Sequence, residues 1–249
     1  MLFLLPMWSL LQKEVSSFLN SLIGYIVIAL FLLAIGLFMW VFPGQFNVLD
    51  AGYSNIDTLF VIAPWVFMFL APAVTMRSFS EEFRTGSIEL LLTKPLTDWQ
   101  IILSKYLASV ILVIFALLPT LLYYYSVGKL GLTEFNLDKG ATWGSYLGLI
   151  FLSSAFVSIG VFASSLSSSQ IVSFIIAVFL SFFVYIGFES ISSIPFLSNI
   201  ESLILDLGIN EHYISMSRGV IDTRDVLYFL GLNIVFIVLT KTRIESRRW

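Results

Sequence analysis

Residues 141–188 contain no Asp, Glu, Lys or Arg and make up nearly all of the longest such stretch in this chain. A helix needs about 20 apolar residues to cross the roughly 30 Å hydrocarbon core of a membrane, so this stretch suffices for two crossings. The whole chain is 58% hydrophobic and 12% charged, whereas a soluble domain carries about 25% charged residues. The sequence therefore predicts an all-α integral membrane protein with little room for a separate soluble domain.

Six membrane-spanning helices are predicted. Pro64, Pro72 and Pro119 fall inside the second and third spans, where a proline marks a bend. The polar run 164–170 is interpreted as a plain connector between the fourth and fifth spans. The last apolar stretch has 15 residues and reaches only about 22 Å as a helix, so flanking residues are expected to extend it. The predicted spans are residues 22–42, 58–76, 98–125, 141–163, 170–188 and 225–241.

Two further segments are amphipathic or broken rather than spanning. Residues 6–20 place apolar and polar side chains on opposite sides of a helix, which is typical of a helix lying in the membrane interface. A frayed N-terminal extension is the alternative. Residues 189–224 mix polar residues with short apolar clusters, and this pattern predicts short helices that re-enter the membrane or lie on its extracytoplasmic surface.

The distribution of Lys and Arg predicts the orientation, because cytoplasmic loops carry an excess of both. Nine of the 13 basic residues fall on one side of the predicted spans, so both termini and the insert after the second span are expected to be cytoplasmic. The nine are Lys13, Arg77, Arg84, Lys94, Lys105, Lys241, Arg243, Arg247 and Arg248, and the other four are Lys129, Lys139, Arg218 and Arg224.

The insert itself, residues 77–97, is the most patterned part of the chain. Gly86 permits a break, apolar residues recur behind it at helical spacing, and Pro95 ends the second of two short helices. Two short amphipathic helices at a membrane surface suit the docking of a soluble partner. An amphipathic connector with no partner is the alternative.

Two capping boxes are predicted in and after this insert. In a capping box a Ser or Thr and the Glu or Gln three residues later satisfy each other's backbone donors. Ser78 with Glu81 fits this pattern at the start of the insert. Thr97 with Gln100 fits it at the start of the third span.

Side chains that carry chemistry are scarce. The interiors of the spans are predicted to hold no ionisable group, the usual marker of function within a membrane. Glu189 is interpreted as an interfacial carboxylate rather than a gate, and His212, the single histidine, as a structural or capping residue. There is no HExxH, Walker A motif or cysteine. The sequence therefore predicts no catalytic residue and no metal site. Charged filter rings are missing too, although a carbonyl-lined ion filter stays open.

Residues 72–108 carry a resemblance to a known family. The stretch PAVTMRSFSEEFRTGSIELLLTKPLTDWQIILSKYLA resembles the cytoplasmic gate and coupling helix of ABC-2 type permeases, which follow E-x-x-x-G-[ST]-x-E-x-L-L-x-x-P. Residues 212–230 resemble the region before the last span of that family. The subgroup that these stretches resemble most is the gliding-motility-associated permeases, with the copper-processing permeases as the nearest relatives.

The resemblance implies a function and partners. The chain would be a non-catalytic permease subunit in the bacterial inner membrane that contacts membrane lipid. It would pair with a second permease chain, identical or paralogous, and with two copies of a cytoplasmic ATPase that binds ATP and Mg²⁺. An extracytoplasmic auxiliary subunit is also implied, and no nucleic acid is expected. The implied ATPase contacts are Glu81, Glu82, Arg84, Gly86, Ser87, Ile88, Glu89, Leu91, Leu92 and Pro95, with Ile88, Leu91 and Leu92 as the apolar part.

Two functions stay open at this stage. One is export of a peptide, lipid or glycan across the membrane. The other is mechanical or assembly work on an extracytoplasmic partner, without passage of a substrate, as a motility or secretion accessory would perform. The basic tail, residues 241–249, is interpreted as an anchor for anionic lipid rather than an ATPase contact.

Overall fold

A computed structural model describes residues 5–92, 96–131 and 136–246, and every regular element within them is a helix. Six helical stretches are long and apolar enough to cross a membrane, which confirms the all-α class and the six predicted spans. The six are Leu22–Val41, Asp57–Thr85, Asp98–Leu130, Lys139–Leu166, Gln170–Ser192 and Thr223–Glu245.

Thirteen α-helices make up these spans and the segments between them within the described residues. They are α1 (Leu5–Leu19), α2 (Leu22–Gly36), α3 (Asp57–Thr75), α4 (Ser80–Thr85), α5 (Ser87–Leu92), α6 (Asp98–Leu117), α7 (Leu121–Leu130), α8 (Lys139–Leu166), α9 (Gln170–Phe182), α10 (Phe188–Ser192), α11 (Glu201–Leu205), α12 (Ile209–Ser217) and α13 (Thr223–Glu245). Single π-helical turns follow α2 and α9, at Leu37–Val41 and Phe183–Gly187.

The centre of the fold is α8, the most buried of the six spans. It packs against α3, α6, α9, α12 and α13. Small residues permit this close packing: a Cβ on Gly160 would lie only 2.1 Å from the hydroxyl of Thr75 on α3. Its buried serines donate to carbonyls one turn earlier, as Ser158 does to Ala155 at 2.8 Å, so the hydroxyl protons of the α8 serines have acceptors within the helix.

Hydrogen bonds of the same kind shift the predicted end of the fourth span. The connector expected over 164–170 shrinks to residues 167–169, because α8 continues to Leu166 and α9 begins at Gln170. Ser164 and Ser165 lie inside the helix and donate to the carbonyls of Val161 and Phe162.

Other boundaries agree with the sequence. The third span breaks at Pro119, where a 3₁₀ turn, Leu118–Thr120, separates α6 from α7. Asp222 is the N-cap of the last span, and its side chain accepts a hydrogen bond from the backbone N–H of Arg224. Flanking residues therefore lengthen this span, as expected. The segment 189–224 contains the predicted short helices, α11 and α12 among them. The helix expected over 6–20 is α1, which packs on α6.

Pro64 explains how α12 attaches to the spans. A proline has no backbone N–H, so Pro64 leaves the carbonyl of Phe60 on the preceding turn of α3 without its helical donor. The hydroxyl of Tyr213 on α12 donates to that carbonyl at 2.8 Å. Burial raises the pKa of Tyr213 well above its usual range, so the phenol keeps the proton that it donates.

On its other side α12 lies against the start of α8. Ser145 donates to the carbonyl of Ser217 at 2.8 Å. The chain then turns at Gly219, whose φ of 83° favours glycine. A Cβ at Gly219 would lie 2.3 Å from the Cα of Ala141, and one at Gly144 would lie 2.4 Å from the carbonyl oxygen of Gly219. These contacts hold α12 firmly on the end of the bundle where α8 begins.

We expect Tyr213→Phe to lower the free energy of unfolding by about 1–3 kcal/mol, because it strands a buried carbonyl. Unfolding of the purified chain in detergent, followed by tryptophan fluorescence, measures the loss. Tyr25→Phe is the matched control, since Tyr25 is 65% exposed, and should change the value by less than about 0.5 kcal/mol. Equal effects of the two substitutions would show that the Tyr213 hydroxyl does not secure α12.

Candidate functional site

The insert between the second and third spans folds into an elbow made of α4 and α5. The helices meet at Gly86, whose φ of 71° is left-handed, as the predicted break requires. The capping box at Thr97 is confirmed: Gln100 N–H donates to the Thr97 hydroxyl at 3.3 Å, and Thr97 N–H donates to the Gln100 side chain at 2.9 Å.

The capping box predicted at Ser78 is wrong. The helix starts two residues later, at Ser80, and Phe79 precedes it with no side-chain cap. Ser78 uses its carbonyl oxygen instead, as an acceptor for the ammonium of Lys105 at 2.6 Å. A tertiary contact therefore replaces the local pattern that the sequence suggested.

One side of the elbow is polar and exposed. Arg84, Gly86 and Glu89 are exposed, whereas Leu91 is 6% exposed and packs into the protein's own core. The expected apolar contact with a partner therefore does not extend to Leu91 in this structure. Pro95 and the side chain of Leu92 lie outside the described residues. The remaining predicted contacts are partly buried, namely Glu81, Glu82, Ser87 and Ile88.

A buried ammonium anchors the elbow. Lys105 lies on α6, is 1% exposed, and donates to Glu82 at 2.7 Å and to Glu14 at 3.0 Å. With the carbonyl of Ser78 these acceptors use all three donors of the ammonium. The ring of Phe79 lies 5.2 Å from the same nitrogen. This cluster ties α1, α4 and α6 together.

The prediction of charge-free spans is wrong at this point. Lys105 is two turns inside α6, among buried apolar residues such as Ile101 and Ile102. A buried charge persists only when it is paired, and the partners here come from two other elements. The signal in the sequence was a lone lysine within an apolar helical stretch.

A second contact joins the elbow to the fifth span. The side-chain amide of Gln170, the first residue of α9, donates to Glu81 on α4 at 3.2 Å. Arg84 lies 3.6 Å from the other oxygen of the same carboxylate. The helix α4 is therefore held from both sides, by α1 and α6 through Lys105 and by α9 through Gln170.

A polar cluster also lies at the opposite end of the bundle. One ring nitrogen of His212 lies 2.8 Å from Asp225 at the start of α13, and the other lies 3.0 Å from the carbonyl of Asp206. Tyr228 stacks on the ring at 3.9 Å, and Ser215 donates to Asp225. The structural interpretation of His212 agrees with this geometry, but its buried acidic neighbour was missed.

This cluster lacks the arrangement of a hydrolase. Ser215 bonds to the carboxylate rather than to the imidazole, and both ring nitrogens are already occupied. A nucleophilic serine needs a ring nitrogen that accepts its proton. The cluster instead joins α12 to α13 and completes the attachment of α12 to the bundle.

The fold and the elbow together define a multi-pass helical membrane protein whose one anchored polar insert lies between its second and third spans. The family model described as ABC-2 family transporter protein matches residues 8–243. The chain therefore belongs to this family, whose members are membrane transport components, generally non-catalytic, that normally work with a cytoplasmic ATPase subunit. The match does not distinguish the gliding-motility subgroup. A comparison with curated proteins found no match.

Lys105→Met should lower the free energy of unfolding by about 3 kcal/mol or more, because two mostly buried carboxylates lose their counter-charge. Denaturant unfolding in detergent measures the change. Lys241→Met is the control, since Lys241 forms an ion pair with Glu245 at 3.3 Å and is far more exposed; its loss should stay within about 1 kcal/mol. Similar losses for both lysines would contradict the anchoring role of Lys105.

Proposed function

We propose that this chain is the permease subunit of an ABC transporter and couples ATP hydrolysis by a separate cytoplasmic ATPase to export across the bacterial inner membrane. In this proposal ATP and Mg²⁺ bind to the ATPase, of which two copies dock on two permease chains, identical or paralogous. The observation that carries the proposal is the elbow, which is exposed on one side and anchored on the other to the third span, the fifth span and the flanking helix α1.

The outward side of the elbow supplies the docking surface. Arg84 and Glu89 give it charges of both signs, and Gly86 lets the backbone approach a partner closely. Charges at the rim of an interface set orientation and encounter rate more than affinity. The half-buried Ile88 offers the apolar contact that Leu91 does not.

Movement of the elbow has two paths into the membrane. Glu82 passes a displacement to α6 and α1 through Lys105, whose buried ammonium is bonded to Glu82, to Glu14 and to the carbonyl of Ser78. Glu81 passes it to α9 through Gln170. The ATPase stroke would therefore tilt the third span and the hairpin of the fourth and fifth spans together.

Mechanical work on an extracytoplasmic partner, in a gliding-motility or secretion complex, is the second candidate. It draws on the rigid attachment of α12, which Tyr213 fixes to α3 and the pair of His212 and Asp225 fixes to α13. A rigid outer segment transmits motion of the spans to an auxiliary subunit.

Glu89→Lys tests the docking surface. The side chain is exposed, so folding should be unaffected, while reversing a rim charge should weaken ATPase binding by about 1 kcal/mol, or about fivefold. The readout is the amount of nucleotide-hydrolysing subunit that co-purifies with the tagged chain from native membranes. Glu201→Lys, an exposed reversal on α11, is the control and should leave recovery unchanged. Full recovery with Glu89→Lys would count against docking on the elbow.

Gln170→Leu tests transmission separately from docking. We expect normal recovery of the ATPase. The amount of transport per ATP hydrolysed should fall about fivefold, equivalent to about 1 kcal/mol of coupling free energy, because one hydrogen bond in the path is lost. Hydrolysis and transport are measured together on the reconstituted complex. Ser168→Ala, an exposed change in the same turn, should behave like the parent. Unaltered coupling in Gln170→Leu would remove α9 from the path.

A further inference from the structure

Two cavities share a wall near the outer end of α3. The outer cavity, about 560 Å³, lies between α3, the π-helical turn Phe183–Gly187, α10 and α12. The second is a groove of about 880 Å³ between α2 and α3 that reaches one residue of α9. Val61 and Trp65 line both, so the cavities adjoin.

The outer cavity combines aromatic walls with hydrogen-bonding groups. Trp65 and Tyr185 meet edge to face, with ring centroids 6.1 Å apart. Opposite them Asn210 donates to Glu189 at 3.1 Å, which holds an amide and a carboxylate side by side, and Ser190 adds a hydroxyl. Sites for small ligands are built in this way, from apolar and aromatic walls with a few placed polar groups.

The charge of the outer cavity restricts its ligand. Its described lining contains the carboxylate of Glu189 but no Lys, Arg or His. Phosphate and carboxylate groups are bound by Arg, Lys or clustered backbone N–H donors. An anionic headgroup would therefore meet a like charge without a cationic partner, whereas hydroxyls find an amide, a carboxylate and serine side chains.

The groove has the opposite character. All of its described lining residues are apolar, including Phe31, Phe38 and Phe69. Water in such a groove would be unfavourable, and hydrocarbon is the natural occupant. The groove starts at the shared wall of Val61 and Trp65, so a chain lying in it continues from a group held in the outer cavity.

We propose that the two cavities form one site for a membrane amphiphile, with an uncharged, hydroxyl-rich headgroup in the outer cavity and its hydrocarbon chain in the groove. The assignment of this amphiphile as cargo rests on the proposed export function. The binding itself does not require the ATPase. The headgroup end lies beside α12, on the proposed extracytoplasmic side, which is where exported cargo leaves.

The test uses the full chain in phosphatidylcholine nanodiscs and an alkyl glucoside with a photoreactive diazirine in its chain. After irradiation, mass spectrometry locates the label. We expect label on α2 and α3 within the groove. Unlabelled glucosyl diacylglycerol should displace the label at a concentration about tenfold lower than phosphatidylglycerol of the same chain length does. This ratio corresponds to a difference of about 1.4 kcal/mol between the binding free energies of the two lipids.

Two variants sharpen this test. Trp65→Ala should reduce groove labelling about fivefold or more, while Phe115→Ala should not; both side chains are 47% exposed, but Phe115 lies outside both cavities. Glu189→Arg, a change at an exposed residue, should reverse the preference in favour of phosphatidylglycerol, because it supplies the missing cation.

Several outcomes would overturn the proposal. The label could be spread evenly over all exposed helices, or both lipids could displace it equally well. The α3 helices of two copies could also crosslink to each other instead of to the lipid probe. The labelling assay contains no ATPase, so its result is compared with the separate co-purification experiment. Loss of groove labelling together with normal co-purification of the ATPase refutes the site alone. Groove labelling together with an ATPase that does not co-purify refutes the coupling proposal and leaves the binding site standing.

Discussion

The buried ammonium of Lys105 is the interaction on which the elbow end of this protein depends. It lies inside a spanning helix, and its three acceptors come from α1, α4 and the turn after α3. A charge taken out of water is stable only with such partners, and each partner left alone would be equally costly. Four segments that are separate in sequence are thereby locked into one arrangement, and the elbow receives a fixed base.

The end of the bundle that carries α12 is held by a different means. Pro64 frees a carbonyl on α3, and Tyr213 satisfies it from α12. Glycine contacts at the start of α8 and the pair of His212 and Asp225 complete the attachment. The second span therefore connects both ends: the elbow continues from its C-terminal end, and α12 is bonded near its N-terminal end, beside the cavity proposed for an amphiphile.

Much of the fold could be predicted because its signals are local. Apolar length identified the six spans, Pro119 the break in the third, and Thr97 with Gln100 the start of α6. The site was less predictable. Ser78 fitted a capping pattern but serves Lys105 through its carbonyl, and Leu91, expected at a partner interface, is buried in the core. The capping box at Ser78 is an error because the Ser78 N–H bonds to the carbonyl of Thr75 and the helix starts only at Ser80, whereas the partner contact at Leu91 stays a prediction.

By itself the sequence determined which segments are helical, which are long enough to span a membrane, and where the elbow lies, because hydropathy and turn preference act over a few residues. Only the tertiary structure decided which side chains meet. Lys105 and Glu14 are separated by 91 positions and Tyr213 and Phe60 by 153. Such pairs form only when particular helix faces pack together, and the burial that makes them strong does not exist before packing.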